Sequence, residues 1–259
     1  MSRACLIGST GFVGGNLARQ YAFDDCYNSR NIEQIRGRLY DLVVCCGVSA
    51  VKWQANRFPA EDRDAIDRLL TSLKSVTATQ CILISTVDVY PSTQGVDESF
   101  DPHGHSNHPY GTNRLYVEDT VQQLFGRTHI IRLPALFGPG LKKNIIYDLM
   151  HNNCLSAIHP DGSFQYYDVR RLWRDVQAVT RNKLRVVNFA TVPIETREIV
   201  QRYFPGKQIA STAARPAAYD MRTQYADCFG GSNGYIYSAE QVLADLGNWI
   251  LEEKKGVAA

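Results

Sequence analysis

Two short segments carry residues whose types and spacing suit proton-coupled redox chemistry. Ser85-Thr86 closes an apolar run, and 24 residues beyond Thr86 stands Tyr110-Gly111-Thr112-Asn113-Arg114. Tyr110 and Arg114 are spaced i, i+4, so a helix projects both from one face. A hydroxyl at a strand end, with a phenol and a cation on an adjacent helix, suits hydride transfer. The phenol gives a proton to a substrate oxygen or removes one, and nearby cations are expected to lower its pKa toward the working range. The Thr86 hydroxyl holds that same oxygen, and a nicotinamide supplies or accepts the hydride.

A nicotinamide needs a seat for its pyrophosphate. The chain opens with an apolar strand, Ala4–Ile7, that runs into Gly8-Ser9-Thr10-Gly11-Phe12-Val13-Gly14 and a helix-compatible segment. Gly8 permits a tight turn and Gly11 lets the backbone approach phosphates. Gly14 lets the helix lie close on the sheet, and the helix N-terminus offers free N–H groups. Further apolar runs at 41–46, 80–85, 129–133 and 186–189 alternate with helical patterns at 61–75 and 109–124. In the first helix Ile66, Leu69, Leu70 and Leu73 share a face. Strands apolar throughout and separated by helices predict a doubly wound parallel sheet, the Rossmann arrangement, covered on both faces. Its ligands bind beyond the C-terminal strand ends. That singles out the glycine turn, Gly47, Ser85 to Tyr90, and Pro134 onward.

The pattern changes near residue 140. We expect a dinucleotide-binding domain over 1–140, rejoined by 165–190, and a smaller substrate-binding region over 141–164 and 191–259. Within the latter, 210–234 reads as irregular and a last helix over 238–253 opens with a Ser238-x-x-Gln241 capping box. Net charge is +2, so no polyanion, nucleic acid included, is an expected partner. Seven cysteines, four of them in strand-like runs, read as small buried hydrophobes of a reducing compartment. No secretory leader pattern and no apolar stretch of about 20 residues occurs. A cytoplasmic protein without membrane contact is expected.

Taken together, Gly8-x-x-Gly11-x-x-Gly14, Ser85-Thr86-x-x-Val89-Tyr90, Tyr110-x-x-x-Arg114 and Arg132-Leu133-Pro134-x-x-Phe137-Gly138-Pro139-Gly140 resemble the extended short-chain dehydrogenase/reductase family, which includes nucleotide-sugar epimerases, dehydratases and keto-sugar reductases. The resemblance implies Thr86 as the catalytic hydroxyl and Tyr110 as the catalytic acid/base. It also implies a nucleotide diphosphate sugar as substrate, and often dimerisation through the helices at 61–75 and 109–124, where Val117, Val121 and Leu124 form an apolar stripe. One departure is plain. Arg114 stands where the family has lysine, a residue that contacts the nicotinamide ribose and depresses the tyrosine pKa. Arginine keeps the charge but is planar and bulkier. The 4,6-dehydratases carry Asp-Glu after the catalytic Thr; here Val87-Asp88 follows, which favours keto reduction or epimerisation over elimination.

Cofactor choice is read at the tip of the second strand. Asn28-Ser29-Arg30 stands there, where NAD-binding sites often place an acidic residue. A Ser-Arg pair suits a 2′-phosphate, so NADP is expected ahead of NAD. Lys142, Lys143 and Arg215 are candidates for the substrate pyrophosphate, Asn144 for its sugar or base, and Asp88 for a supporting place. His103-x-His105-x-x-His108 lies in a Pro/Gly-rich loop before Tyr110 and reads as an active-site cover, with no metal expected. Two other readings stay open: a cofactor-binding sensor or scaffold with catalysis weakened at Arg114, and a reductase of non-sugar carbonyls.

Overall fold

The computed structural model describes residues 3–209 and 215–257. Residues 210–214, part of the stretch expected to be irregular, lie outside the described residues, as do 1–2 and 258–259. In chain order the elements are β1 Ala4–Ile7, α1 Phe12–Gln20, β2 Asp25–Tyr27, β3 Leu39–Cys45, α2 Lys52–Arg57, α3 Pro59–Leu73, β4 Thr77–Thr86, α4 Pro109–Leu124, β5 Thr128–Leu133, β6 Ala135–Phe137, α5 Ile145–His151, β7 Ser163–Phe164, β8 Tyr166–Asp168, α6 Leu172–Arg181, β9 Val186–Asn188, β10 Ile194–Glu195, α7 Thr196–Tyr203 and α8 Ala239–Val257.

Two compact units emerge. The first comprises Met1–Pro91, Glu98–Leu133 and Leu172–Asn188. Its centre is a six-stranded sheet in the order β2-β1-β3-β4-β5-β9, parallel throughout. β1 and β5 are buried along their whole length, as both-face coverage requires. The chain leaves β1 for β2 on one side, then returns to lay β3 on the other. That reversal opens a crevice at the C-terminal ends of β1 and β3. A single 3-10 turn, Ile32–Ile35, links β2 to β3 where a full helix is more usual.

α3 buries Ile66, Leu69, Leu70 and Leu73, and α4 buries Val117 and Val121, in one cluster with Cys5, Ile7, Val43, Cys45, Cys81, Leu83 and Ile130 of the strands. Leu124 packs against the same cluster. The stripe considered for dimerisation therefore covers the protein's own core.

The second unit comprises Ser92–Asp97, Pro134–Arg171 and Phe189–Ala259. Two small ladders organise it: β6 with β8, parallel, and β7 with β10, antiparallel. Tyr166, Tyr167, Phe137, Phe189 and Trp249 are among its largest fully buried side chains. Two arginines tie α8 to it: Arg171 bonds Asp245 at 2.5 and 2.7 Å, and Arg170 bridges Asp168 and Glu252 at 2.7 Å each.

Candidate functional site in the first unit

The glycine turn follows β1 directly. Gly8 has φ +87°, and a Cβ there would lie 2.5 Å from the Cys46 carbonyl oxygen. The Gly11 amide donates to the Gly8 carbonyl at 2.9 Å and closes the turn. A Cβ on Gly14 would lie 2.2 Å from that same Gly8 oxygen, which is why α1 can start so close to the strand. Thr10, Gly11, Phe12 and Val13 occupy the turn and the first helical positions, where backbone N–H groups have no helical acceptor. Such a cradle of backbone donors fits a dinucleotide pyrophosphate. Gly14→Ala is expected to cost about 1–3 kcal/mol by forcing this turn apart and to abolish the rise in melting temperature on adding NADPH; an unchanged cofactor-induced rise contradicts the assignment.

At the tip of β2, Asn28, Ser29 and Arg30 form a tight turn. The Asn28 amide donates to Asn31 Oδ1 at 2.7 Å and the Arg30 amide to Asn28 Oδ1 at 2.9 Å. Ser29 and Arg30 are exposed. The acidic residues nearby are committed elsewhere: Asp24 accepts from the Ala4 amide at 2.7 Å, and Asp25 accepts from Arg3 and from the Tyr40 hydroxyl. Across the crevice Gly47 follows β3, where a Cβ would meet Ile7 at 2.9 Å.

Beyond β4 and at the start of α4 the chemistry-bearing side chains converge. Thr86 Oγ1 accepts from the Asp88 amide at 3.1 Å, so its own hydrogen remains available. Tyr110 is buried, with the Arg114 guanidinium over its ring and Thr86 near enough to bear on its ionisation. Burial pushes the Tyr110 pKa above its ordinary value. Arg114 and Thr86 pull it down and Asp88 pushes it up, with burial prevailing. The expectation that neighbouring cations bring it down toward the working range is thereby corrected: Arg114 pulls downward, but less than the desolvation of a phenolate in this enclosure pushes up.

Several fixtures hold α4 where Tyr110 meets Thr86. The Tyr110 amide donates to Asn56 Oδ1 of α2 at 2.9 Å, and the Gly111 amide to His108 Nδ1 at 2.9 Å. Asn107 donates to the Asp88 and Val89 carbonyls at 3.0 and 2.9 Å. Gly111 is required by contact: a Cβ would sit 2.3 Å from the Asp88 carbonyl oxygen. Two turns along, Glu118 accepts from Ser85 Oγ at 2.5 Å and from Arg132 at 2.6 to 3.2 Å. Ser85, expected beside the cofactor, thus has its hydrogen engaged by Glu118. Arg132 in turn lies over the Tyr90 ring at 4.7 Å.

Arg114 is the least expected feature. Its Nη1 and Nη2 donate to Asp62 of α3 at 2.9 and 2.8 Å, and Nη2 also to the Ser49 carbonyl at 2.7 Å. Its guanidinium carbon stands 4.4 Å from the Tyr110 ring centre. Asp88 is ion-paired with Lys52 of α2 at 2.7 Å. Asp62, Lys52, Asn56, Asn107 and Glu118 are residues that sequence reasoning did not single out. Only Glu118 had a local signal, because it repeats the i, i+4 spacing of Tyr110 and Arg114.

The three loop histidines have separate engagements. His105 packs on Phe100 with ring centres 5.0 Å apart, His108 caps α4, and His103 bridges two carboxylates, Asp101 at 2.5 Å and Asp119 of α4 at 3.0 Å. The bond to Asp101, then that to Asp119, holds the His103 pKa above its ordinary value. A raised folded pKa means that the contribution to stability is full below about pH 6.5 and is lost as pH rises through the folded value. His103→Gln is therefore expected to lower the melting temperature at about pH 6 and to leave it unchanged at about pH 9; equal effects at both contradict the bridge.

In the second unit, Pro134 opens the stretch after β5. Lys142 and Arg215 are exposed, as a ligand-binding cation or a solvated one would be. Asn144 is otherwise occupied. With φ at 111° it caps α5, its Oδ1 accepting from the Ile146 and Tyr147 amides and its Nδ2 donating to the Leu136 carbonyl.

Among the described residues no helix is long and apolar enough to cross a membrane. The chain superposes on dTDP-4-dehydrorhamnose reductase of Bacillus anthracis in complex with NADP, with a TM-score of 0.74 and 16% identity, covering 97% of this chain and 99% of that one. It also superposes on UDP-glucose 4-epimerase of Thermotoga maritima with UDP-glucose (0.72, 13%, covering 98% and 99%), and on an NAD dependent NDP-hexosamine 5,6-dehydratase involved in tunicamycin biosynthesis (0.73, 18%, covering 97% and 98%). At these identities the likeness establishes the fold. No curated protein sequence matches. The family model for NAD dependent epimerase/dehydratases matches residues 25–176, more than half of the chain and including Thr86, Tyr110 and Arg114. The chain therefore belongs to the NAD dependent epimerase/dehydratase family and is an NAD(P)-dependent enzyme.

Proposed function

We propose that this enzyme transfers a hydride between NADP(H) and a nucleotide-linked keto sugar, with Tyr110 moving the proton. The observation that carries the reading is the buried Tyr110 beneath the Arg114 guanidinium, at the end of β4 that carries Thr86. The nicotinamide, when bound, supplies or accepts the hydride. In the reductive direction Tyr110 gives its proton to the carbonyl oxygen while the Thr86 hydrogen steadies that oxygen. In the oxidative half of an epimerisation the same oxygen returns the proton to Tyr110.

Val87 is buried and apolar, and Asp88 is paired with Lys52. This supports reduction or epimerisation over an elimination, which needs two proton-transfer groups there. Lys142 and Arg215 remain candidates for the diphosphate. The solved relatives with UDP-glucose and with NADP bear on both ligand classes.

Arg30 supports the NADP preference, since no carboxylate stands at the β2 tip to repel a 2′-phosphate. Arg30→Ala is expected to weaken NADPH binding roughly tenfold and leave NADH binding unchanged, read by titration calorimetry; equal weakening of both contradicts the assignment.

The test of the function is NADPH oxidation with a panel of nucleoside-diphosphate 4-keto sugars. Oxidation with one class, matched by a rise in melting temperature with the corresponding nucleoside diphosphate, supports the reading. A cofactor-induced rise with no oxidation across the panel favours the binding-protein alternative, which the engagement of Arg114 by Asp62 would then explain.

A further inference from the structure

The family-type lysine position holds an arginine whose terminal nitrogens are already taken. Asp62 accepts from Nη1 and Nη2 of Arg114 and from Asn113 Nδ2 at 2.9 Å. Burial pushes the Asp62 carboxyl up, but the bonds from Arg114 and Asn113 outweigh it and hold it below the usual carboxylate range. It is therefore charged, and the pair is close to neutral. Arg114 is 4% exposed, and its Nε is the one guanidinium nitrogen with no partner.

A buried donor without a partner is unfavourable unless something meets it. A bound dinucleotide has ribose hydroxyls that accept such a bond. Resting on the hydride-transfer reading above, we propose that Asp62 is a positioning residue of the site. It grips both ends of the Arg114 guanidinium, holds it against the Tyr110 ring as a neutralised pair, and leaves Nε, the one guanidinium nitrogen with no protein partner, open to the cofactor.

Charge follows from this placement. The groups facing Tyr110 are Arg114 on its own helix, backed by Asp62 of α3; Asp88 after β4, backed by Lys52 of α2; and His108 before the helix. Each ion pair brings both signs, so the field favouring a phenolate is weak. Tyr110 is held as a phenol, the form that donates a proton in carbonyl reduction. Freeing Arg114 from Asp62 restores an unscreened cation beside the ring.

The test is the ionisation of Tyr110 in the NADP complex, read as tyrosinate absorbance after subtraction of the Tyr110→Phe signal, for wild type, Asp62→Asn and Asp62→Asn/Arg114→Gln. Asp62→Asn is expected to lower the titration midpoint by about 1–2 pH units. The double variant, neutral at both positions, is expected to return it to within about half a unit of wild type. A folded Asp62→Asn whose midpoint is unmoved or raised, or a double variant that stays shifted, overturns the proposal. If Asp62→Asn does not fold, the double variant decides by affinity. Loss of Nε–H should weaken NADP binding about tenfold, and unchanged binding overturns the proposal. None of these readings needs turnover, so a failure of the panel assay and a failure here are separate results.

Discussion

Tyr110→Phe is expected to lower turnover by about two to four orders of magnitude, the range for removing a positioned general acid. NADPH binding and melting temperature should stay near wild type. The substitution removes one oxygen and keeps the ring that packs against Arg114. The Tyr110 amide still bonds Asn56, so α4 keeps its place. The check is the rate of NADPH oxidation at saturating substrate beside a cofactor titration. A loss of less than tenfold would make another group the proton donor. Thr86 and Asp88 are the nearest candidates.

Glu118→Gln is expected to cost about 3–5 kcal/mol of folding stability, the effect of breaking a buried ion pair from one side. Glu118 is 1% and Arg132 5% exposed. Burial lowers the Arg132 pKa, but Glu118 outweighs it and holds it above the ordinary arginine value. Without the carboxylate, Arg132 remains charged between β5 and the Tyr90 ring with no counter-ion. Urea unfolding measures the loss. Replacing both partners by apolar residues of similar volume should recover most of it, and a single variant within about 1 kcal/mol of wild type would contradict the assignment. Because Ser85 Oγ also bonds Glu118, the same change should loosen the end of β4 that carries Thr86.

Much of the frame was legible because its signals are local. β1 and β5 are buried along their length because both faces of a parallel sheet are covered, and Gly8 and Gly14 stand where no Cβ fits. The α3 stripe of Ile66, Leu69, Leu70 and Leu73 reads directly as a core face. The site's supports were not legible, because they come from far along the chain. Asp62 and Arg114 meet 52 positions apart, and nothing near either announces the other. Asp62 reads as an ordinary acidic residue in a helix's first turn. α2 is six residues long and preceded by Val51 rather than a capping side chain, so neither Lys52 nor Asn56 declared itself. Asn144 shows the opposite case. An amide after a glycine-rich turn reads as a sugar contact, yet here it closes a helix start from a left-handed backbone.

Deuterium transfer from 4-deuterated NADPH to the keto carbon of a nucleotide sugar, compared between wild type and Tyr110→Phe, tests the central claim most directly. Label at the former carbonyl carbon in the wild-type product, with transfer slowed at least about a hundredfold in the variant, is the predicted result. Product that carries solvent hydrogen and no label at that carbon, or transfer equally fast without the phenol, would contradict it.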